Sequence, residues 1–265
     1  MTLPQICATL SGTTVDDMLA DAARATAAGA DVVEARLDML YMHQVAVESE
    51  QGQSDARSRI RKTEIKLQER DTIDFEIDEV LSLLEAGIEL PVILTCRPSR
   101  QGGYFPGTEE ERCDILRKAI ESGVSWVDLE MDIKKNVREE LVNLAGQTTR
   151  IICSEHFDRE PDGSDEVFSR VKDMSSLGDL VKLCYKTSGK RSGLCLFESA
   201  WGLKEEGLNY TIMGLGNAGD WTRIHAPVLG ISMVYTTSES DPRETSSGQI
   251  NTTELISAWE MLEYA

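Results

Sequence analysis

The sequence predicts an α/β fold, a single-domain (β/α)8 TIM barrel, on three observations: eight short apolar runs of strand length, helix-patterned stretches between most of them, and ionisable side chains near the C-terminal ends of the runs. The runs are Gln5–Leu10, Asp31–Arg36, Pro91–Cys96, Trp126–Leu129, Arg150–Cys153, Leu180–Cys184, Tyr210–Met213 and Val228–Tyr235, rich in β-branched and apolar residues. Helical spacing and capping signals mark Thr14–Ala28, Thr108–Ser122, Ile133–Ala145 and Asp165–Met174, and Thr253–Tyr264 supplies a last helix. Strands alternating with helices imply parallel pairing through right-handed crossovers, and eight such units favour closure into a barrel over an open sheet. At 265 residues, the expectation is one domain spanning 1–265.

Met42–Thr72 fits this alternation least well. It is polar, rich in Gln, Ser and Glu, and longer than an ordinary connection between a strand and its helix. It reads as an insertion at about residues 43–72, or an extended helix, with no role assignable from composition.

Hydrophobic residues make up 41% and charged residues 28% of the chain, the profile of a soluble globular protein. No apolar run reaches the roughly 18–20 residues that span a bilayer, and Met1–Gly12 lacks the basic and apolar regions of a secretory signal, so a cytoplasmic site is expected. The formal net charge of −19 repels phosphate backbones and anionic headgroups, which argues against nucleic-acid and membrane partners. The one basic stretch, Arg57–Lys66, is soon interleaved with acids and reads as a solvated helix face. Cys7, Cys96, Cys113, Cys153, Cys184 and Cys195 form no CxxC pair and have no histidine spaced to complete a zinc site. They read as reduced and structural, and no metal or other cofactor is expected.

Side chains alternate between faces along a strand, so Glu34, Arg36 and Asp38 share one face. Arg97 ends the third run, Asp128 and Glu130 the fourth, His156 follows the fifth, and Lys182 lies within the sixth. In a barrel these positions converge on one mouth, where barrel active sites are built. Lys182, in Leu180-Val-Lys-Leu-Cys184, is the sharpest signal, since an ammonium in an apolar strand is costly to desolvate. Burial and nearby cations are expected to lower its pKa and leave amine able to attack a ketone. A structural ion pair or a snorkelling lysine are the plainer alternatives.

His156 is one of three histidines, and its strand-end position suits a proton shuttle near neutral pH. His43 and His225 carry no comparable context. Met213-Gly-Leu-Gly-Asn-Ala-Gly219 matches G-x-G-x-x-G, but a dinucleotide site belongs in the first βαβ unit, and here too little chain follows. A glycine-rich turn after a seventh barrel strand also suits an anion site.

Taken in order, Glu34-Ala-Arg36-Leu-Asp38, Leu94-Thr-Cys-Arg97-Pro with Gly102-Gly103, Asp128-Leu-Glu130, Ser154-Glu-His156, Val181-Lys182, Met213-Gly214, Arg223 and Gly248-Gln249 resemble the type I 3-dehydroquinate dehydratase family through most of the chain. The resemblance implies a metal-free, cofactor-free lyase, usually a homodimer, whose small-molecule substrate 3-dehydroquinate is converted to 3-dehydroshikimate in the shikimate pathway. It implies that Lys182 forms an imine at the C3 ketone and that His156 takes the C2 proton and assists loss of the C1 hydroxyl. It assigns Glu34, Arg36 and Arg97 to ring hydroxyls and Arg223 and Gln249 to the carboxylate, and matches Thr9 to a position where relatives present a serine. Asp128 or Glu130 is a candidate to orient the imidazole.

The chain also departs from the pattern. Gln101 stands where many relatives carry a glutamate, and the lid Thr245-Ser-Ser-Gly-Gln249 keeps a hydroxyl at Thr245 but loses a stiffening proline. Two readings compete with the dehydratase: a non-catalytic dehydroquinate-binding regulator, which the presence of both Lys182 and His156 disfavours, and another class I Schiff-base lyase on the same barrel.

Overall fold

The computed structural model describes residues 3–49, 62–237 and 248–265. In chain order its strands are β1 (Gln5–Thr9), β2 (Val32–Arg36), β3 (Met42–Ser49), β4 (Lys62–Glu69), β5 (Val92–Thr95), β6 (Trp126–Glu130), β7 (Arg150–Phe157), β8 (Leu180–Thr187), β9 (Tyr210–Gly216) and β10 (Met233–Thr237). Eight of them form one sheet in the order β10-β1-β2-β5-β6-β7-β8-β9, with every neighbouring pair parallel. The two end strands come together where the Ser232 N–H donates to the Tyr210 carbonyl at 2.9 Å, so the sheet is a nearly closed barrel.

The period of two along each strand separates two cores. Outward residues such as Ile6, Ala8, Val127, Leu129, Val181 and Leu183 are buried against the helices. Inward residues, among them Cys7, Ile93, Trp126, Leu180, Cys184 and Tyr235, fill the barrel. Lys182 lies between Leu180 and Cys184 in this alternation, which is why its ammonium lies inside the barrel and not in solvent.

Three of the helices start where a short polar side chain satisfies a first free N–H group. Thr14 accepts from the Asp17 amide ahead of α1 (Val15–Ala27). After α2 (Ile77–Gly87), Thr108 and Glu111 form a reciprocal capping box on α3 (Glu109–Glu121). Next come α4 (Lys135–Ala145), α5 (Ser164–Met174), α6 (Lys190–Leu203), two single turns α7 (Trp221–Ile224) and α8 (Ala226–Leu229), and α9 (Thr252–Met261), capped by Asn251. Among the described residues no helix is long and apolar enough to cross a membrane.

The structure corrects the sequence reading at three places. The apolar run Val228–Tyr235 is not one strand: Pro227 starts a helical turn, Gly230 ends it with φ 71°, and only Met233–Thr237 pairs with β1. Strands β7, β8 and β9 run past their expected ends, because the residues that look polar in sequence are still paired at the barrel mouth. Met42–Thr72 is not an extended helix. Its described part is an antiparallel hairpin in register from Met42↔Glu69 to Ser49↔Lys62, and the alternation Val45-Ala-Val47 suits a strand better than a helix. The basic residues Lys62 and Lys66 therefore sit on β4, and Arg57, Arg59 and Arg61 lie outside the described residues. Arg70 anchors the hairpin's base, donating to the Met42 carbonyl at 3.0 Å and the Thr13 carbonyl at 2.9 Å.

Candidate active site

At the C-terminal ends of the barrel strands opens a cavity of about 580 Å3. Thr9, Glu34, Arg36, Arg97, His156, Lys182, Arg223 and Gln249 all line it, so the sequence-predicted residues within the described chain converge on one place. Thr245 lies outside the described residues.

Lys182 Nζ sits 2.9 Å from Glu34 Oε1 and 3.1 Å from Asp128 Oδ2, with only 2% of its surface exposed. The face of the Tyr235 ring covers it, with Nζ 3.9 Å from the ring centroid. Arg97 shares both carboxylates, at 3.1 Å from Asp128 and 3.8 Å from Glu34. Glu34 is further held by the hydroxyls of Thr9 and Thr95, each donating at 3.0 Å. Burial alone would lower the Lys182 pKa, but Glu34 and Asp128 outweigh it and raise it above the ordinary lysine value. The expected depression is thus corrected: the unliganded site holds an ammonium, and amine chemistry requires a proton to leave. Burial likewise pushes the Glu34 carboxyl up, but Lys182, Arg97 and Arg36 override it and keep the carboxylate well below its usual range.

Two further buried pairs frame this centre. Arg36 clamps Asp38 through two bonds of 2.8 and 2.7 Å, and Asp38 also accepts the Tyr104 N–H at 3.0 Å, tying the turn after β2 to the loop after β5. Glu130 meets Arg112 at 2.5 Å and the Arg97 Nε at 3.6 Å. Burial and the neighbouring Asp128 push the Glu130 carboxyl up to about 7 despite these cations.

His156 ends the inward face of β7. Its partner is Gln101, whose Oε1 lies 3.2 Å from Nδ1, while Nε2 is buried with no hydrogen-bond partner among the described residues. Burial, then the cations Arg97, Lys182 and Arg36, hold its pKa well below the ordinary histidine value, so the ring is a neutral base. Neither Asp128 nor Glu130 is its hydrogen-bond partner, which corrects the expectation that one of them orients the imidazole. The turn Ser99–Gln101 brings the amide across instead, its path set where Gly103 packs so tightly on the Arg97 carbonyl that a Cβ would stand 2.1 Å from that oxygen.

Arg223 enters from α7. Its Nε donates to the Tyr235 carbonyl at 3.0 Å, and Nη1 donates to the carbonyls of Gly214, Gly219 and Gly248 at 2.9, 2.8 and 2.9 Å. A Cβ on Gly214 would meet the Gly219 Cα at 2.6 Å, so the G-x-G-x-x-G run permits the close backbone approach that cradles an arginine. Its carbonyls face a guanidinium, which is the opposite of a phosphate cradle. No carboxylate pairs with Arg223 among the described residues, and burial pulls its pKa down to about 10, leaving a cation suited to an anionic ligand. Beside it, Gln249 Oε1 is buried without a hydrogen-bond partner among the described residues.

A family model described as Type I 3-dehydroquinase matches residues 6–264. This chain belongs to the type I 3-dehydroquinase family. It is 28% identical over 212 residues to a 3-dehydroquinate dehydratase of Methanocaldococcus jannaschii, covering 77% of this chain and 93% of the relative. It is 31% identical over 196 residues to one of Methanococcoides burtonii, covering 72% and 80%. A crystal structure of the type I 3-dehydroquinate dehydratase from Clostridium difficile shares the fold, with a TM-score of 0.77 at 22% identity, over 99% of this chain and 93% of that one. As a 3-dehydroquinase the chain is a hydro-lyase acting on a small molecule.

Sequence reasoning missed Tyr235 and Thr95, both buried polar residues inside apolar runs, where an isolated tyrosine or threonine reads as a strand former. The signal available for Tyr235 was its place on the mouth half of the last strand. His225 and His43 play no part in the cavity; His225 Nδ1 is engaged by the Tyr264 hydroxyl at 3.0 Å.

Proposed function

We propose that the chain dehydrates 3-dehydroquinate to 3-dehydroshikimate by way of an imine on Lys182. The observation that carries this reading is Lys182 in the cavity wall, charge-balanced by Glu34 and Asp128, with the neutral ring of His156 lining the same space.

The steps follow from the groups present. The carboxylates hold Lys182 as an ammonium, so substrate entry must be accompanied by transfer of one of its protons, and neutral His156 is the base at hand. The free amine attacks the C3 ketone: the N–C bond forms, the C–O π bond opens, and the oxygen leaves as water after taking protons. The resulting iminium draws electron density from C2, whose proton passes to His156 Nε2. Loss of the C1 hydroxyl, with that proton returned to it, completes the elimination, and water then frees Lys182. Arg223 and Gln249 are proposed to hold the substrate carboxylate, and Glu34, Arg36, Arg97 and Thr9 its hydroxyls, with Thr245 on the lid.

A homodimer in the cytoplasm is proposed on the family resemblance, and six free cysteines support a reducing compartment. Sedimentation velocity tests the dimer.

The catalytic reading is tested by incubating the protein with 3-dehydroquinate, reducing with borohydride and mapping the adduct by peptide mass spectrometry. An adduct on Lys182 that disappears in Lys182→Ala is expected. No adduct on any lysine, with substrate left unconverted, would move the assignment to a dehydroquinate-binding protein without turnover.

A further inference from the structure

Tyr235 faces the Lys182 ammonium and is neither an acid nor a base at working pH. Its ring centroid is 3.9 Å from Nζ, it is 6% exposed, and burial raises its phenol well above the ordinary tyrosine value. Its hydroxyl has no hydrogen-bond partner among the described residues. Its main-chain carbonyl also receives the Arg223 Nε, so one residue touches the cation of the covalent step and the cation left free for the substrate anion.

The needs of the reacting nitrogen change during turnover. An ammonium has three N–H bonds and can donate to Glu34 and Asp128 together. Once the N–C bond has formed and water has left, the iminium keeps one N–H and can hold only one carboxylate. An aromatic face requires no N–H; it responds to the positive charge through the ring quadrupole, and in a desolvated site that attraction is at its strongest. A third carboxylate in the same place would further resist the deprotonation that attack requires, whereas a neutral ring adds far less to that resistance.

We propose that Tyr235 is a catalytic residue whose ring face carries the positive charge of the Lys182 iminium after the carboxylates have lost a donor. The proposal rests on Lys182 being the imine-forming residue. It assigns the work to the ring and none to the phenol.

The test compares the intact protein with Tyr235→Phe, Tyr235→Leu and a series in which residue 235 is phenylalanine bearing one, two or three ring fluorines, which weaken the quadrupole at almost constant shape. The readouts are kcat, KM and the fraction of Lys182 trapped by borohydride at saturating 3-dehydroquinate. Tyr235→Phe is expected to stay within about threefold of the unaltered protein, and Tyr235→Leu to lose on the order of ten- to thirtyfold in kcat with a smaller change in KM. Stepwise loss of kcat and of trapped adduct with each fluorine is the signature of charge on a ring face, and packing alone does not produce it. A flat fluorine series overturns the proposal, as does a Tyr235→Phe loss equal to that of Tyr235→Leu. Should Tyr235→Leu fail to fold, the fluorine series still decides. Absence of any Lys182 adduct in the unaltered protein would instead sink the imine reading beneath it.

Discussion

Gln101 Oε1 accepts the main-chain N–H of His156 at 3.2 Å and lies 3.2 Å from Nδ1 of the same residue. The main-chain donor identifies this atom as the amide oxygen, so Nδ1 must carry the ring proton and Nε2 is left as the bare lone pair. An amide fixes this tautomer without the negative charge that a carboxylate would place beside the ring.

The acid limb of kcat/KM is therefore expected below the ordinary histidine pKa of about 6.5, since burial and three cations already oppose protonation. Gln101→Glu should move that limb upward by stabilising the imidazolium, and Gln101→Leu should lower kcat on the order of tenfold or more with little movement of the limb. A pH profile of kcat/KM for the three proteins checks this. A Gln101→Glu limb at or below that of the unaltered protein would show that the amide does not govern the ring.

Glu130 gives a prediction of opposite sign. Its carboxyl titrates at about 7 when folded and near about 4.3 when unfolded, so between those values the folded state binds the extra proton. The stability this contributes is complete below about 4.3 and is lost as pH rises through about 7. Glu130→Gln resembles the protonated form, so its Tm relative to the unaltered protein should improve from pH 5 to pH 8, by ~2–4 kcal/mol in stability at most. Thermal melts at both pH values decide; a difference that stays the same at pH 5 and pH 8 would mean that Arg112 at 2.5 Å holds Glu130 ionised throughout.

Much of this site was legible because strand alternation is a strong constraint: once Leu180 and Cys184 face inward, Lys182 must too, and the same parity places Glu34 with Arg36 and Asp128 with Glu130. The pairings inside the barrel were not legible. Which cation meets which carboxylate depends on contacts between residues as distant as Glu34 and Lys182, and the resulting rise in the Lys182 pKa reversed an expectation drawn from burial alone. The hairpin escaped notice because two strands paired only with each other need no apolar face toward the barrel. The Val228–Tyr235 run was misread because its apolar composition is the same for a helical turn as for a strand, and Pro227 just before it and Gly230 within it carried the distinction.

Arg223 has a charge without a carboxylate and a position fixed by four carbonyls. Arg223→Lys keeps the charge but cannot reproduce the fork that serves several carbonyls at once. KM for 3-dehydroquinate should rise by about one to two orders of magnitude with a smaller fall in kcat, because ground-state anion binding is what is removed. Steady-state kinetics measure the split. An unchanged KM with a reduced kcat would place Arg223 at the reacting end of the substrate.

Asp128 supports two cations through one oxygen, with Oδ2 at 3.1 Å from both Arg97 and Lys182. Asp128→Asn removes one of the two carboxylates that raise the Lys182 pKa, so that pKa must fall and the fraction of free amine at a given pH must rise. Imine formation should then reach its plateau at a lower pH than in the unaltered protein. The same change leaves Arg97 and Lys182 buried with Glu34 and Glu130 alone to balance them, and breaking a buried ionic network by one partner costs about 3–5 kcal/mol. Asp128→Asn is therefore expected to shift the alkaline dependence of borohydride trapping toward acid while lowering Tm, a gain in nucleophile bought with stability. Trapping measured from pH 6 to 10, alongside thermal melts, separates the two effects. A trapping profile that does not move, in a protein that is less stable, would leave Asp128 as a scaffold for Arg97 and assign control of the Lys182 proton to Glu34.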